Sequence, residues 1–561
     1  MNQTLAIWLR RAVWAPLVVE AGWQARRWLQ AVHDTPACQA RLLERLLAQT
    51  ADSGFGRDFG LAGVRNAADL RRAIPIAGYE RVEPYINRVR HGETDALFPP
   101  GTPIHMFAMT SGTTGSPKYI PVTDAALRAY RLGWHVWGIR ALTDHPAGYG
   151  ARLLQMASRW DEEQTPSGIH AGAMSGLTAQ AQRRAIRWMY VMTPETSHAG
   201  DTATKYYLAA RLGLARRRVF PMTANPSTLL GLAHAMDERK EALLRDLADG
   251  TLAADLHLDA PYRRAIERRL KPMPQRARQL EAAARASGHL FPKDAWDIPL
   301  IGTWKGGTLS LYLREMPHYW GDGPIRDIGL IASEGRFSIP LQTEGSAGVL
   351  DVTSAFFEFM PEEEAGTPDP AAILPEQAEI GRRYFIVLTT PGGLVRYHIG
   401  DLVQVVGKEG PAPVIEFLNK GQHISNLTGE KITEFQVVTA VNEALARLGL
   451  AVRSYCLCPT WGRIPFYTLL VDENEVDPAG ARQLAWAVDA ALGGLNMEYR
   501  TKRDSGRLQP VKVRTIAAGA WRAYDTKIIN ERKGRVEQYK HKFLVNDIEF
   551  EKGFATVATY A

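Results

Sequence analysis

Hydrophobic residues at helical spacing dominate the first part of the chain. Within residues 1–50, which we predict to be helical, leucines recur at i, i+1, i+4 and i+5 and form one apolar stripe: Leu42, Leu43, Leu46 and Leu47. Residues 127–142 show the same helical spacing, with the aromatic side chains of Tyr130, Trp134 and Trp137 on or near one face. Packing into a core is the default interpretation of such a face.

The pattern changes after residue 298. Short apolar runs separated by glycines replace the long helical periods, and such runs are typical of strands. The runs that we predict to be strands are residues 328–332, 355–360, 384–389, 402–406 and 414–417. Residues 361–381 hold three consecutive glutamates and several prolines, which predicts a solvated surface loop.

A polar, glycine-bearing segment divides the chain. Residues 418–430, LNKGQHISNLTGE, follow a predicted strand and precede a predicted helix over 432–448, beyond which strands and helices alternate. A chain of 561 residues is too long for one ordinary hydrophobic core. We therefore predict an N-terminal domain of residues 1–420, a C-terminal α/β domain of residues 421–561 and a hinge at 418–430.

The composition is that of a globular protein with a mild basic surplus. Hydrophobic residues make up 45% and charged residues 23% of the chain, and the formal net charge is +7. The surplus is spread over 67 basic and 60 acidic residues, and the densest basic runs have helical apolar spacing, which indicates solvated helix faces. Aromatic residues do not interleave with these runs as base stacking requires. We therefore expect no nucleic-acid partner.

Cysteine usage and hydropathy favour a cytoplasmic protein. The three cysteines, Cys38, Cys456 and Cys458, cannot form a disulfide framework and lack the companion ligands of a zinc site. The apolar run over residues 8–19 contains two arginines and a proline, so we interpret it as an amphipathic packing helix rather than a signal peptide. No run approaches the roughly twenty apolar residues that span a bilayer. We expect no membrane partner.

A loop of small and hydroxyl residues is the first candidate for chemistry. Residues 106–121 read MFAMTSGTTGSPKYIP, so a predicted strand leads into glycines, hydroxyl side chains and one lysine. Glycine lets backbone amides approach an anion, hydroxyl groups add donors, and lysine adds a positive charge. The residues that we expect to bind phosphate are Thr110, Ser111, Gly112, Thr113, Thr114, Gly115 and Lys118. It is not a Walker loop, because two residues separate Gly115 from Lys118, and an ordinary turn is the alternative interpretation.

The string TSGTTGSPK resembles the first signature of the adenylate-forming superfamily, whose members activate a carboxylate with ATP. Within that superfamily, the chain resembles the Gretchen Hagen acyl acid amido synthetases, also called the auxin-responsive promoter family. Residues 74–86, IPIAGYERVEPYI, resemble the entry motif of this family and carry no obvious chemistry. Further motifs follow in the family order between about residues 55 and 543, and their order and spacing carry the assignment.

Residues 330–335, LIASEG, resemble the second signature of the family. Its closing pair is matched by Ser333 and Glu334, while Leu330 replaces the aromatic residue that usually opens it. In the family this glutamate helps to hold Mg²⁺ against the ATP phosphates, a role that suits a hard carboxylate oxygen. The resemblance thus implies that Glu334 is a metal ligand and that Ser333 contacts the nucleotide. A surface glutamate in a turn is the alternative.

Residues 394–401, LVRYHIGD, resemble the third signature. The resemblance implies that Asp401 accepts hydrogen bonds from both ribose hydroxyls. His398 stands where the family often has arginine, and we interpret it as an accommodated substitution rather than a catalytic base. Residues 356–359, FFEF, resemble a family strand whose aromatic residue covers adenine, with Phe357 and the phenylalanine before it as candidates. Core packing is a strong alternative for both.

Three lysines near or beyond the predicted hinge match family positions. Lys420 stands where the family has a ribose-contacting arginine, and it keeps the charge but loses the planar fork. Lys431 matches a hinge-side lysine that reaches the phosphates. Lys540 lies in QYK, a family motif near the C-terminus, but here HKF follows in place of Thr-Pro-Arg. The resemblance implies that Lys540, Lys431 and Glu334 form the catalytic set.

The fold that the resemblance implies is α/β. It comprises a large N-terminal adenylate-forming domain, with sheets packed against helices and a β-barrel-like part, and a small mobile C-terminal lid domain. The helix after the phosphate loop and the small-residue loop over residues 168–176 are expected to line the acyl pocket. A monomer is consistent with the sequence.

The function that the resemblance implies is a two-step ligase that uses ATP and Mg²⁺. It adenylates a small carboxylic acid with release of pyrophosphate, and then transfers the acyl group to an amino acid or other amine with release of AMP. One alternative keeps the adenylation step but uses coenzyme A as the acceptor. Another is a non-catalytic nucleotide-binding homologue, supported by the substitutions at Leu330, His398 and Lys420.

Overall fold

A computed structural model gives the fold of this protein. It describes residues 3–110, 117–181, 184–306, 310–420, 424–425, 427–428, 430, 432–531 and 539–561, with the backbone alone at 3–13, 17, 184–185, 310–311, 419–420 and 424. Within these residues the chain forms two compact units. The larger unit comprises residues 3–306 and 315–417, and the smaller unit comprises residues 310–314, 418–531 and 539–561.

The secondary structure consists of helices and mostly short strands. The helices are α1 Gln3–His33, α2 Thr35–Thr50, α3 Gly54–Asp58, α4 Ala67–Ala73, α5 Tyr79–Arg90, α6 Asp124–Asp144, α7 Met174–Gln180, α8 Arg184–Arg187, α9 Thr202–Leu214, α10 Pro226–Glu238, α11 Lys240–Asp249, α12 Ala260–Glu267, α13 Pro274–Ser287, α14 Pro292–Ala295, α15 Ser310–Leu313, α16 Met316–Trp320, α17 Glu434–Leu448, α18 Pro478–Leu495, α19 Met497–Asp504 and α20 Ala520–Glu531. The strands are β1 Ile104–Thr110, β2 Lys118–Thr123, β3 Arg152–Leu154, β4 Glu163–Gln164, β5 His170–Gly172, β6 Val219–Pro221, β7 Ile301–Gly302, β8 Ile325–Arg326, β9 Ile331–Ala332, β10 Gly335–Arg336, β11 Ser338–Ile339, β12 Gly348–Leu350, β13 Phe356–Pro361, β14 Arg383–Thr389, β15 Tyr397–Glu409, β16 Ala412–Lys420, β17 Ile424–Ser425, β18 Ile432–Thr433, β19 Tyr455–Thr460, β20 Phe466–Asp472, β21 Lys512–Ile516 and β22 Thr556–Tyr560.

Two sheets organise the larger unit. One has the strand order β2-β1-β5-β4, and the other has the order β11-β12-β16-β15-β14-β13. Helices cover them, so the α/β class that we predicted is confirmed. Within the described residues the six-stranded sheet is open, with β11 and β13 at its edges. The barrel-like part therefore stays a prediction.

The predicted strands all appear, but β15 and β16 are longer than predicted and the strand over residues 328–332 is shorter. Four of the five apolar runs lie in β13, β14, β15 and β16, whereas the run over residues 328–332 forms a strand only at Ile331–Ala332. Gly329 has a φ of +84°, a left-handed conformation that interrupts an extended strand. Only the end of the run, β9, forms a strand, and it pairs with β10 in a short antiparallel hairpin.

The smaller unit has its own sheet and core. Its strands follow the order β19-β20-β21-β22, and the apolar faces of α17 and α18 contribute to the same buried cluster. Helix α17 begins after Thr433, whose side chain accepts a hydrogen bond from the Gln436 backbone N–H (3.2 Å), while the Gln436 side chain accepts one from the Thr433 backbone N–H (3.0 Å). This capping box fixes the start of the helix that we predicted from residue 432.

The N-terminal apolar segment lies inside a helix, as predicted. Residues 8–19 belong to α1, Gln3–His33. No helix among the described residues is long and apolar enough to cross a membrane. The domain boundary at residues 420 and 421 and the mobility of a hinge at 418–430 stay predictions.

Candidate active site

The predicted phosphate loop connects the two strands of a hairpin. β1 ends at Thr110, β2 begins at Lys118, and these two residues pair across the antiparallel ladder. Residues 106–109 of β1 are buried, as expected for a strand between two neighbours in its sheet. Residues 111–116 of the loop lie outside the described part of the chain, and they include the predicted phosphate contacts Ser111, Gly112, Thr113, Thr114 and Gly115. Their contact with phosphate therefore stays a prediction, and the structure places only the two ends of the loop.

Glu334 lies in the turn of the short hairpin formed by β9 and β10. The ladder pairs Ala332 with Gly335, so Ser333 and Glu334 form the connection between the strands. Both side chains are half-buried. The next strand contains Arg336, which is fully buried and lies 4.7 Å above the ring of Trp134 in α6. The hairpin that carries Glu334 is thus anchored on α6.

Asp401 lies in an irregular part of β15. It follows Gly400, which has a φ of +82°, and the pairing of β15 with β14 shifts register between His398 and Leu402. Bulges of this kind change the direction of a side chain and are frequent next to active sites. The Asp401 side chain is only 2% exposed. A buried carboxylate at a strand irregularity is the environment that we expected for a ligand-binding residue.

Tyr397, in the strand that also carries Asp401, contacts the predicted carboxylate of Glu334. Its hydroxyl donates a long hydrogen bond of 3.4 Å to Glu334 Oε1. Burial raises the pKa of the Tyr397 hydroxyl far above its usual range, and the neighbouring carboxylates of Glu334 and Asp401 raise it further. The hydroxyl therefore stays protonated and donates to the Glu334 carboxylate. Our sequence reasoning did not single out this tyrosine, although it stands four residues before Asp401 in the same motif.

The residue before Tyr397 has an unusual backbone. Arg396 has a φ of +44°, and among the described residues no other non-glycine residue has a positive φ. Its guanidinium is buried and donates to Glu358 through Nε (2.9 Å) and Nη2 (3.3 Å), and Arg71 Nε donates to the same carboxylate (2.8 Å). A left-handed arginine costs about 1–2 kcal/mol, which these buried charged hydrogen bonds offset. The network fixes the backbone at the start of β15.

Phe357 lies in the core of the larger unit. It is 0% exposed, and its ring makes an edge contact with Phe337 at a centroid distance of 6.1 Å. The preceding Phe356 is 2% exposed. Both rings therefore pack in the core, which is the alternative that we left open. These surroundings give no support to the predicted contact of Phe357 with adenine, which stays a prediction.

The three predicted lysines differ in how far the structure describes them. Lys420 ends β16, but its side chain lies outside the described residues, as does Lys431 entirely. Lys540 is exposed and is flanked by two buried side chains, Tyr539 (7% exposed) and His541 (5% exposed). The residues that follow Lys540 and differ from the family sequence, His541 to Phe543, therefore include buried, packed side chains.

The aromatic face predicted for residues 127–142 is present in α6. Tyr130, Trp134 and Trp137 contact one another in sequence at centroid distances of 6.5 and 5.8 Å. Trp137 stacks on Phe220 of β6 (6.2 Å, 22°) and donates a hydrogen bond from Nε1 to the Asp327 backbone carbonyl (2.7 Å). The face is thus a mixed core of rings, held in place by a buried indole hydrogen bond.

Glu334 is the residue that we predicted to bind Mg²⁺. Among the described residues, no group of three or more histidine, cysteine, aspartate or glutamate side chains is arranged to hold a metal ion. Mg²⁺ bound to a nucleotide needs only one or two protein carboxylates, because phosphate oxygens and waters complete its octahedron. Glu334, the predicted metal ligand, has a half-buried side chain and fits that mode of binding.

Three family models match the chain in order. They are the GH3 family N-terminal domain over residues 24–325, the central domain over residues 348–420 and the C-terminal domain over residues 435–549. The first alone covers more than half of the chain. The chain belongs to the GH3 family. The Gretchen Hagen resemblance of the sequence motifs is thereby confirmed.

Relatives of this GH3 chain are similar over most of its length. The probable indole-3-acetic acid-amido synthetase GH3.1 of Oryza sativa subsp. japonica is 26% identical over 539 residues, which cover 90% of this chain and 86% of that protein. The jasmonoyl--L-amino acid synthetase GH3.5 of the same subspecies is 26% identical over 451 residues, covering 73% of this chain and 75% of that protein.

A solved GH3 structure is similar to this one. The AtGH3.15 acyl acid amido synthetase in complex with 2,4-DB aligns with a TM-score of 0.83 at 20% identity, covering 96% of each chain. At this identity the similarity shows the fold. This GH3 chain therefore has the mixed α/β fold of an acyl acid amido synthetase.

Proposed function

We propose that this protein is an ATP-dependent acyl acid amido synthetase. Membership of the GH3 family over nearly the whole chain supports this function, and relatives named as amido synthetases for different acids support the reaction type. The observation that carries the proposal in this chain is the hydrogen bond of 3.4 Å from the Tyr397 hydroxyl, in the strand that also carries Asp401, to Glu334 of a separate motif. Residues far apart in sequence meet where a nucleotide-activating site requires carboxylates.

The proposed reaction has two balanced steps. A carboxylate oxygen of the acid attacks the α-phosphorus of ATP, and the bond to the β-phosphate oxygen breaks, so that pyrophosphate leaves. The nitrogen of an amino acid or other amine then attacks the acyl carbon, an amide bond forms, the bond to AMP breaks and one proton is released. Positioning and charge stabilisation account for most of the rate in such transfers.

The residues of the larger unit would bind and orient the nucleotide. We assign the phosphates to the loop between Thr110 and Lys118 and the ribose hydroxyls to Asp401. Mg²⁺, when bound, would neutralise charge on the phosphates. Glu334 would hold that ion, and Tyr397 would keep its hydroxyl directed at the Glu334 carboxylate. We place Ser333 beside the nucleotide because it shares the turn with Glu334.

The residues of the smaller unit would act as a lid. We propose a lid domain of residues 421–561 that moves about a hinge at 418–430, as in other enzymes that close over a substrate. Lys540 and Lys431 would offset negative charge during adenylation, and Lys420 would contact the ribose. The exposure of Lys540 beside two buried neighbours supports this assignment, because an exposed side chain is accessible to a nucleotide.

The acyl acid would bind near the aromatic face of α6. Tyr130 and Trp134 are half-buried at this face, next to the hairpin that carries Glu334. Aromatic walls suit an apolar or aromatic acid. The small-residue loop over residues 168–176 would form a further wall.

Product analysis tests the proposed function. The purified protein is incubated with ATP, Mg²⁺, a panel of carboxylic acids and a panel of amino acids and amines, and pyrophosphate release and product mass are measured. We expect acid-dependent pyrophosphate release and an amide product with no added thiol. A thioester formed only with coenzyme A would instead support the acyl-CoA ligase. Absence of acid-dependent release would support the non-catalytic homologue.

A matched pair of variants ties the activity to the site. Asp401→Asn is expected to reduce pyrophosphate release by at least about tenfold, because it removes a charged acceptor from the nucleotide site. Asp369→Asn changes an exposed aspartate of the loop between β13 and β14 and is expected to leave the rate unchanged. Equal rates for both variants would contradict the assignment of Asp401.

A further inference from the structure

The entry segment, residues 74–81, binds the start of strand β15. The Ala77 backbone N–H donates to the Arg396 carbonyl (3.3 Å), and the His398 backbone N–H donates to the Ala77 carbonyl (2.8 Å). Ala77 and Tyr397 thus form a parallel bridge outside the main sheet. We predicted no chemistry for this segment, but in the structure it is paired with the strand that contains Tyr397 and Asp401.

Arg81 reinforces this attachment. Its Nη2 donates to the carbonyls of Val395 (3.1 Å) and Arg396 (3.0 Å), and its Nη1 donates to the Pro75 carbonyl within the entry segment. The contact is reciprocal, because Arg396 Nη1 donates to the Ile74 carbonyl (2.6 Å). Burial and the positive charge of Arg396 lower the pKa of Arg81 to about 10, so the guanidinium stays charged near neutral pH.

Tyr79 attaches the same segment to the strand that leaves the phosphate loop. Its hydroxyl donates to the Tyr119 carbonyl (3.1 Å) and accepts from the Tyr119 backbone N–H (2.9 Å). Lys118 Nζ lies 5.5 Å from the centroid of the Tyr79 ring. Tyr79 is 7% exposed and is the first residue of α5, and its side chain belongs to the buried core of the larger unit.

One short segment therefore contacts both strands of the predicted nucleotide site. We propose that residues 74–81 are a positioning element for ATP, in which Tyr79 sets the place of Lys118 and Arg81 sets the place of the strand that carries Asp401. The proposal rests on the proposed function. Its physical basis is preorganisation, since small displacements of binding groups cost much of their effect.

Nucleotide titration of a matched pair of variants tests the proposal. Tyr79→Phe removes the hydroxyl that bonds to the Tyr119 backbone. Tyr85→Phe removes another hydroxyl from the same helix, which donates only to the side chain of Asp58 (2.7 Å). Binding of ATP with Mg²⁺ is measured by calorimetry for both variants and the wild type. We expect Tyr79→Phe to raise the Kd for ATP about tenfold and Tyr85→Phe to leave it unchanged.

The titration separates positioning from folding. If Tyr79 served only stability, its variant would lower the fraction of binding-competent protein, and hence the stoichiometry, while the Kd stayed constant. An unchanged Kd in Tyr79→Phe, or an equal rise in Tyr85→Phe, would overturn the proposal. Wild-type protein that binds ATP but releases no pyrophosphate with any acid would contradict the proposed function alone, and the Kd comparison would still decide the positioning role.

A second pair tests the other contact. Arg81→Lys keeps the charge but loses the planar fork whose two terminal nitrogens reach the three carbonyls, whereas Arg88→Lys changes an exposed arginine of α5 that pairs with Glu93. We expect Arg81→Lys to raise the Kd for ATP and Arg88→Lys to have no effect. The proposal for Arg81 is wrong if both variants bind ATP as the wild type does.

Discussion

The charge of His541 follows from its two hydrogen-bond partners. Its Nδ1 faces the Asp525 carboxylate (2.9 Å), and its Nε2 faces the Tyr455 backbone carbonyl (3.0 Å). Both partners are acceptors, so both ring nitrogens must donate, and the ring is an imidazolium. Burial lowers the pKa of His541, but the hydrogen bond and charge of Asp525 outweigh burial, so the pKa lies above its usual range. This ion pair anchors the backbone next to Lys540.

The imidazolium predicts a pH-dependent stability. A group whose pKa is raised on folding contributes stability that is complete below its unfolded pKa, about 6.5, and is lost as the pH rises through the folded value. We therefore expect the wild type to exceed His541→Gln by about 2 kcal/mol in free energy of unfolding near pH 6, and the difference to shrink as the pH rises through the folded pKa over a range above 6.5. Urea unfolding of both proteins across this range measures the difference.

The surroundings of His541 make the pH test specific. The carboxylates of Asp525 and Glu434 face the ring, and burial raises the pKa values of the phenols of Tyr455 and Tyr539, so these stay protonated across the range. His91→Gln is the control, because this exposed ring bonds only to its own helix at the Asn87 carbonyl (2.8 Å). A difference for His541→Gln that does not change with pH would contradict a charged ring.

At the scale of single elements, a glycine of α6 makes room for the hairpin that carries Glu334. A Cβ atom on Gly133 would lie 2.1 Å from Cδ of Arg336. Arg336 cannot easily move away, because it is fully buried and its Nη2 donates to the Ile328 carbonyl (2.5 Å). Gly138 lies in the same helix, and a Cβ there would meet nothing within 4 Å.

Alanine at these two glycines is expected to have opposite effects. Gly133→Ala should destabilise the protein by about 1–3 kcal/mol through overpacking against Arg336. Gly138→Ala should stabilise it by about 0.5–1 kcal/mol, because alanine favours a helix interior over glycine. Urea unfolding of the two variants checks both signs. If Gly133→Ala were as stable as Gly138→Ala, the close contact with Arg336 would be wrong.

The sequence predicts elements better than it predicts the contacts between them. The strands over residues 384–389 and 414–417 and the helix over 127–142 were found close to their predicted bounds, because hydrophobic period and turn residues are local signals. The strand over 328–332 was predicted too long, because the left-handed conformation of Gly329 is not visible in composition. Local signals do not reveal which neighbour fills a given space.

In the candidate site, too, the sequence indicated local motifs but not the contacts between them. Motif matching singled out Glu334 and Asp401, but not Tyr397, whose proposed role depends on meeting Glu334 in space. It also gave the entry segment no role, since its hydrogen bonds to β15 join residues more than three hundred positions apart. The complete burial of Phe357 was also not predictable. The alternation of residues along a strand shows which face a ring is on, but not whether that face packs into the core or covers a ligand.

At the scale of the whole molecule, two units with separate cores divide the proposed chemistry. The larger unit holds Glu334 and Asp401, and the smaller unit holds Lys540. The family sequence after Lys540 is replaced by HKF, and the structure explains this replacement. His541 pairs with Asp525, and the ring of Phe543 packs against Tyr455 at a centroid distance of 5.0 Å. The new flank therefore holds Lys540 by packing within the smaller unit.

Two lysines of this segment provide the decisive comparison for the lid. Tyr539, His541 and Phe543 are buried, whereas Lys540 and Lys542 alternate with them and are exposed. If Lys540 stabilises charge as pyrophosphate leaves, Lys540→Ala should lower acid-dependent pyrophosphate release by at least about a hundredfold. Its Kd for ATP should stay near the wild-type value, because an interaction made only in the transition state does not contribute to binding the ground state.

Lys542→Ala removes a neighbouring charge from the same exposed face and should retain the wild-type rate. Thermal unfolding of both variants shows whether the smaller unit remains folded, which we expect because neither lysine is buried. A loss of rate in Lys542→Ala but not in Lys540→Ala would transfer the role to Lys542. Wild-type rates in both would mean that neither lysine acts in adenylation, and the charge stabilisation would then rest on Lys118, Lys431 and the metal ion.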